Sequence, residues 1–161
     1  LPTRNSVNNF LKKISSNFID ADILEIGSGL KKRNASAVEI FSKAREFQQT
    51  DVDVNLGYKI LDLTNIESFN KEYDLVICTN VLEHIYDVRT AVKNLYKLVK
   101  KEGNLIISVP FMYPLHDEPE DFWRFTEHSL KKLFENFEII TLKKTGLRQL
   151  PLQYIMHLKK L

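Results

Sequence analysis

The stretch Ala21-Asp22-Ile23-Leu24-Glu25-Ile26-Gly27-Ser28-Gly29 decides the reading of this chain. Its first six residues read as a short apolar strand, and Gly27-Ser28-Gly29 stops that strand in a turn. Glycine there tolerates backbone angles that other residues resist, and lets backbone amides approach a ligand that a Cβ would block. Taken alone, the turn is equally consistent with a tight bend that binds nothing. A dinucleotide fingerprint wants a third glycine, and Lys32 stands in its place; a P-loop wants Gly-Lys-Ser/Thr, which is absent. Helix formation after the turn is delayed by Lys31-Lys32-Arg33-Asn34, which also argues against a pyrophosphate seated on a helix N-terminus.

Working outward, strands and helices alternate. Ser6 is placed to cap an amphipathic helix over residues 6–19, with Val7, Phe10, Leu11, Ile14 and Phe18 at helical spacing. Residues 35–45 predict a weaker helix around Val38 and Phe41. Strands are predicted at 46–52 and 57–61, and at the strongly apolar 73–79. Asp87 is a good N-cap for a helix whose inward face is Val88, Val92, Leu95 and Val99. Lys97, Lys100 and Lys101 suit its C-terminal end, and Gly103 suits a left-handed stop. A fifth strand at 105–109 closes at Pro110. A polar and aromatic loop covers 111–125, Thr126 caps a helix with Leu130, Leu133, Phe134 and Phe137 inward, and 138–142 is a sixth strand. Continuous apolar strands alternating with helices predict an α/β fold, a doubly wound, mostly parallel sheet with helices on both faces.

Ligands of such sheets sit beyond the C-terminal strand ends, which singles out Glu25–Gly29, 50–53, 61–63, 79–84 and 110–123. Asp51, about 20 residues past the glycine turn, can accept both hydroxyls of a ribose; a solvated strand end is the alternative. Asp53 is second choice for that role. Asp62 can accept an adenine amine, or cap the next helix. His116, beside Asp117 and Glu118, is the candidate general base, since an imidazole near a carboxylate can titrate near neutral pH. Tyr113, Phe122, Trp123 and Phe125 can wall an acceptor pocket or simply pack the loop down. Arg124 can bind an acidic acceptor or pair with Glu120 or Asp121. The Lys31-Lys32-Arg33 run can touch phosphate or be solvated.

Composition narrows the function class. The 161 residues are 43% hydrophobic and 27% charged, which excludes a disordered or collagen-like chain. The net charge of +2 gives no general reason to expect nucleic acid or a membrane surface. The one cysteine, Cys78, reads as core, and one cysteine with four histidines makes no zinc spacing pattern, so no metal is expected. No apolar run approaches the ~20 residues needed to cross a bilayer. There is no signal-peptide pattern, although the chain begins at Leu1 and not at Met. A cytoplasmic protein is the expectation.

Glu25-Ile26-Gly27-Ser28-Gly29, an acid at Asp51, an acid at Asp62 and then Cys78-Thr79-Asn80-Val81-Leu82-Glu83-His84-Ile85 together resemble the class I S-adenosylmethionine-dependent methyltransferases. The Asn80–Ile85 run is similar to the branch often called methyltransferase type 11. Residues 99–110 resemble that branch's helix end, glycine turn and fifth strand, and Pro114–Thr126 is similar to a loop of some of its members. The likeness spans about residues 22–142.

The resemblance implies a Rossmann-like sheet of six or seven strands and S-adenosylmethionine as cofactor, with S-adenosylhomocysteine as product. It implies that Gly27, Ser28 and Gly29 line the methionine part, with Glu25 beneath the turn and Asp51 on the ribose. Asp62 and Leu63 would flank the adenine; Asn80 and Val81 would face the sulfonium. Tyr113, Trp123 and Arg124 would belong to the acceptor pocket. The acceptor is expected to be a small molecule or glycan-type compound; its identity and the oligomeric state are not legible. Departures from the family pattern are Lys31, where a glycine is frequent, and the C-terminal segment 143–161. That segment does not clearly supply the usual seventh, antiparallel strand, and residues 149–158 read as a helix. The expected organisation is one methyltransferase domain over 1–161: an N-terminal helix in 1–20, a cofactor-binding core in 21–142 and a C-terminal segment in 143–161. The rival readings are a non-catalytic binding or interaction protein with the same fold and, more remotely, a nucleotide-dependent oxidoreductase.

Overall fold

A computed structural model of the chain describes residues 2–30 and 36–161. Its elements run α1 (Pro2–Ile14), β1 (Asp22–Ile26), α2 (Ala37–Ile40), β2 (Glu46–Asp51), β3 (Lys59–Ile60), β4 (Tyr73–Thr79), α3 (Val88–Leu98), β5 (Val99–Pro110), α4 (Glu127–Leu133), β6 (Glu138–Gly146) and β7 (Pro151–Lys159). Seven strands form one sheet in the order β3-β2-β1-β4-β5-β7-β6. The first five are parallel; β7 runs antiparallel to both β5 and β6.

The two-residue period of a strand sorts its side chains onto two faces. In β1, β4, β5 and β7, Ile23, Leu75, Ile77, Ile106 and Ile155 join Val7, Phe10, Leu11 and Phe41 in one cluster. Their neighbours Leu24, Val76, Cys78, Ile107 and Met156 join Leu95, Leu130 and Phe134 in the other. Strands buried on both faces are therefore apolar throughout, as expected of a sheet covered twice.

The seventh strand corrects the sequence reading. Residues predicted as helix lie in β7, wedged between β5 and β6. Tyr154-Ile155-Met156 is buried on both faces, so it lacks the alternation that marks a one-sided strand. Other differences are local. Helix α1 begins at Pro2, four residues before Ser6, because a proline is tolerated in a first turn; Phe18 lies past its end but is still buried. Among the described residues 36–45 of the 35–45 prediction, Ala37–Ile40 are helical. Gly103 is not the left-handed residue: Glu102 is, at φ 62°, and the chain is already extended from Val99. A Cβ on Gly103 would stand 2.8 Å from the Lys100 carbonyl oxygen, so glycine is needed there for closeness. The predicted Lys31–Asn34 basic stretch lies outside the described residues.

At the N-terminal strand ends, Asp22 accepts from Arg45 Nε at 2.9 Å and lies 2.7 Å from Arg45 Nη2, while Lys100 bridges Asp74 at 3.0 Å. The Arg45 hydrogen bond holds the Asp22 carboxyl down at about 2, against the cost of burying it. This ionic cluster ties the sheet at the end opposite the glycine turn. Among the described residues, no helix is long and apolar enough to cross a membrane.

Candidate active site

At the C-terminal end of β1 the chain turns through Gly27 (φ 70°) and Gly29 (φ 65°). A Cβ on Gly27 would fall 2.4 Å from Val81 Cγ2, so the turn packs directly on the segment after β4. Ser28 donates its amide to the Thr50 carbonyl at 2.9 Å and its hydroxyl to Glu25 at 2.8 Å. Gln49 Nε2 donates to the same Glu25 oxygen at 3.3 Å. Burial pushes the Glu25 carboxyl up, against these hydrogen bonds.

Asp51 closes the cradle from β2. Its Oδ2 accepts the Gly29 amide at 2.9 Å and its Oδ1 the Asp53 amide at 3.0 Å, leaving each oxygen a further lone pair. Asp53 instead caps its own short turn, accepting from the Asn55 amide. Tyr58 lines the same space, with its phenol pushed up by burial and by the charges of Glu25 and Asp51.

The post-β4 segment forms the opposite wall. Asn80 takes a left-handed conformation, φ 54°, and its amide donates to Ser108 at 2.8 Å. A short turn, Leu82–His84, follows. The Phe122 and Trp123 amides donate to the Glu83 carbonyl at 2.9 and 3.2 Å, which fastens the long 111–125 loop onto that turn. Glu83 itself is fully buried, and neither carboxylate oxygen has a hydrogen-bond partner from another residue among those described. Burial pushes its carboxyl up to about 8.

The two imidazoles of His84 and His116 meet edge to face, centroids 4.8 Å apart. His84 Nε2 lies 3.8 Å and His116 Nε2 3.9 Å from Glu83 Oε1. Each ring's Nδ1 faces a backbone carbonyl: Glu120 at 2.7 Å for His84, Pro114 at 3.1 Å for His116. His116 Nδ1 also lies 3.3 Å from Asp121 Oδ2.

One cavity of about 630 Å³ joins both walls. Glu25, Gly27, Ser28, Gly29, Gln49 and Tyr58 line one end, Asn80, Glu83, His84, Tyr113 and His116 the other, with Arg4 and Val7 of α1 alongside. Of the residues singled out by sequence, the structure brings Glu25, Gly27, Ser28, Gly29, Asn80, Tyr113 and His116 into this lining, while Asp51 and Val81 lie outside it, in contact with Gly29 and Gly27, and Asp53 also lies outside it. Asp62 accepts the amide and hydroxyl of Thr64 at 2.8 Å each and caps its own turn, outside the cavity lining. Leu63 is buried in the core, its carbonyl accepting from Asn94 at 2.8 Å. Arg124 is committed to Asp121 through two contacts of 2.6 and 2.9 Å, and to the carbonyls of Tyr113, Pro114 and Trp123. It orders the loop and is not presented as an anion receptor. Trp123 donates to the Ile85 carbonyl at 3.0 Å and stacks on Tyr86. With Tyr113 and Phe122 it borders a second, shallower depression of about 590 Å³. Arg4, Gln49 and Tyr58 were not anticipated. Glu83 was quoted in a motif but given no role, although a carboxylate inside the apolar run Val81–Ile85 is itself a signal.

A mostly parallel sheet with this strand order and one antiparallel strand, a glycine turn at the end of its first strand and an acid at the end of its second define a Rossmann-like methyltransferase scaffold. The profile of the family described as "Methyltransferase domain" matches residues 7–142. The chain belongs to that family and is a class I S-adenosylmethionine-dependent methyltransferase domain. A ubiquinone biosynthesis O-methyltransferase of Rickettsia bellii (strain OSU 85-389) is 34% identical over 116 residues, covering 63% of this chain and 48% of that protein. The chain thus spans about half the length of the curated relatives it matches. In fold it resembles the N-methyltransferase NodS from Bradyrhizobium japonicum WM9 in complex with S-adenosylhomocysteine, with a TM-score of 0.77, 16% identity and coverage of 99% and 88% of the two chains. It also resembles magnesium protoporphyrin IX methyltransferase from Synechocystis PCC 6803 with bound S-adenosylmethionine, at TM-score 0.71, 18% identity, and 99% and 79% coverage.

Proposed function

We propose that this chain transfers a methyl group from S-adenosylmethionine to a hydroxyl of a small-molecule or glycan-type acceptor. The observation that carries the reading is the single cavity with the glycine cradle at one end and the histidine-lined wall at the other. The identity of residues 1–161 as one working domain is part of this proposal, since both core clusters share one sheet.

The cradle fits the cofactor. Gly27 lets the turn pack closely on Val81, the space beside Gly29 is open, since a Cβ there would meet nothing within 4 Å, and Glu25, whose hydrogen bonds from Ser28 and Gln49 both reach Oε2, lines the cavity. Asp51 keeps spare acceptor capacity where ribose hydroxyls would lie. Asn80 and Val81 stand against the cradle from the other wall. When bound, the cofactor supplies a methyl group on a sulfonium, whose carbon–sulfur bond electrons return to sulfur as the acceptor oxygen bonds the methyl carbon. The chain's own contribution is to hold the two reactants in line and to manage the proton that the hydroxyl must lose. His116 serves that proton: its Nδ1 faces the Pro114 carbonyl, which leaves Nε2 with the lone pair turned toward the cavity. The choice of oxygen is supported by the names of the Rickettsia relatives.

The test is radiolabelled methyl transfer from S-adenosylmethionine to panels of phenols, sugars and amines, with products identified by mass. Transfer to hydroxyls, reduced at least a hundredfold in His116→Ala, is expected. Transfer confined to amines would overturn the oxygen assignment; an unchanged rate in His116→Ala would overturn the role of His116.

A further inference from the structure

We propose that Glu83, His84 and His116 form a binding site for one divalent transition-metal ion at the acceptor end of the cavity. One ligand atom from each residue lies within 4.8 Å of the others. The two Nε2 atoms stand 3.8 and 3.9 Å from the same oxygen, Glu83 Oε1. Four-coordinate metal–nitrogen and metal–oxygen bonds of about 2.1 Å set ligand atoms roughly 3.4 Å apart. The two Nε2–Oε1 pairs need a closure of about 0.4–0.5 Å, and the widest separation in the cluster, up to 4.8 Å, one of about 1.4 Å, which side-chain rotation must supply.

The surroundings of the two histidines point the same way. A metal-ligating imidazole commonly donates its other N–H to a carbonyl or carboxylate, which fixes the tautomer. His84 faces the Glu120 carbonyl and His116 the Pro114 carbonyl through Nδ1, so each neutral imidazole donates there and keeps its lone pair on Nε2, the atom that lies 3.8 or 3.9 Å from Glu83 Oε1. With Glu83 ionised, as metal binding requires, three electron-pair donors face one another across this space. Glu83 is the independent mark of a ligand: a fully buried carboxylate whose oxygens find no partner from another residue among those described. Such a group is costly unless something positive meets it.

Two imidazoles and one carboxylate suit Zn²⁺, Mn²⁺ or Fe²⁺ better than Mg²⁺, which prefers oxygen donors and water. Three protein ligands leave a coordination position open, the pattern of a catalytic rather than a structural site. Asp117, with Oδ2 3.9 Å from His84 Nε2 and well exposed, stands at the rim of that position. With metal bound, the His116 Nε2 lone pair is held by the metal, and acidification of an acceptor hydroxyl at the open position takes over the proton role assigned above to His116 as a free base. That consequence rests on the methyl-transfer reading; metal binding itself does not.

The experiment strips the purified chain with a chelator and titrates it with Zn²⁺ by calorimetry and with Mn²⁺ by electron paramagnetic resonance. S-adenosylhomocysteine binding is measured in parallel. One metal ion per chain is expected, with affinity at least tenfold weaker in Glu83→Gln and in His116→Asn. Circular dichroism checks the fold of both variants, and His116→Asn, on a loop, carries the test if Glu83→Gln does not fold. No binding, or binding unchanged in the folded variants, would overturn the site. In that event retained S-adenosylhomocysteine binding leaves the methyltransferase reading standing, whereas metal bound without S-adenosylhomocysteine would count against that reading alone.

Discussion

Replacing Gly27 by alanine tests how tightly the glycine turn is locked to the wall across the cavity. Two costs are expected. The left-handed backbone, φ 70°, penalises any Cβ by about 1–2 kcal/mol. The new methyl would also arrive 2.4 Å from Val81 Cγ2, an overlap that something must relieve by moving. Overpacking of this kind costs about 1–3 kcal/mol, so Gly27→Ala should lose roughly 2–5 kcal/mol. For a chain of this size that lowers Tm by about 4–20 °C. Gly29 separates the two effects. It is also left-handed, φ 65°, but a Cβ there meets nothing within 4 Å, so Gly29→Ala should show the backbone cost alone. Val81→Ala in the Gly27→Ala background should remove the overlap and recover about 1–3 kcal/mol relative to additivity. Urea denaturation of the four proteins of the cycle measures this coupling. Additivity within about 0.5 kcal/mol would refute the claim that Val81 is the contact that demands glycine.

Asp51→Asn should weaken S-adenosylhomocysteine binding at least tenfold by calorimetry, while Asp53→Asn, whose side chain caps its own turn, should change it less than threefold; equal losses would contradict the division. The ionic cluster predicts a pH dependence. Asp22 is held at about 2 when folded against 3.8 unfolded, so the unfolded chain binds more protons in that interval. Its contribution is full above about pH 5 and is lost as pH falls from 4 toward 2. Urea midpoints should fall over that window, and less steeply in Asp22→Asn. Phe134, fully buried between α4 and the sheet, should cost about 3–5 kcal/mol on truncation to alanine. A loss under 1 kcal/mol in urea denaturation would show that face of the core to be loosely packed.

What was legible in the sequence depended on how local its cause is. The bounds of β4 and the start of α3 follow from an apolar run and from the Asp87 cap, which accepts the Thr90 amide at 3.2 Å. The glycine turn follows from residue type. Strand β7 did not show, because its apolar run is cut short by Gln153 and His157, unlike that of β4, and its pairing with β5 and β6 is long-range. Asp62 reads in the sequence as a ligand group or a cap, two uses of a strand-end carboxylate that sequence cannot separate; in the structure its Oδ1 accepts the Thr64 amide and hydroxyl. Glu83, His84 and His116 escaped as a set because 32 residues separate the first two from the third, and the carbonyls that orient the rings belong to the loop.

Calorimetric titration of the purified chain with S-adenosylhomocysteine, with NADH as control, tests the cradle most directly. Micromolar binding that is abolished in Gly27→Ala and weakened in Asp51→Asn, with no heat from NADH, is the predicted result. A folded chain that ignores S-adenosylhomocysteine, or that binds NADH as well, would contradict it.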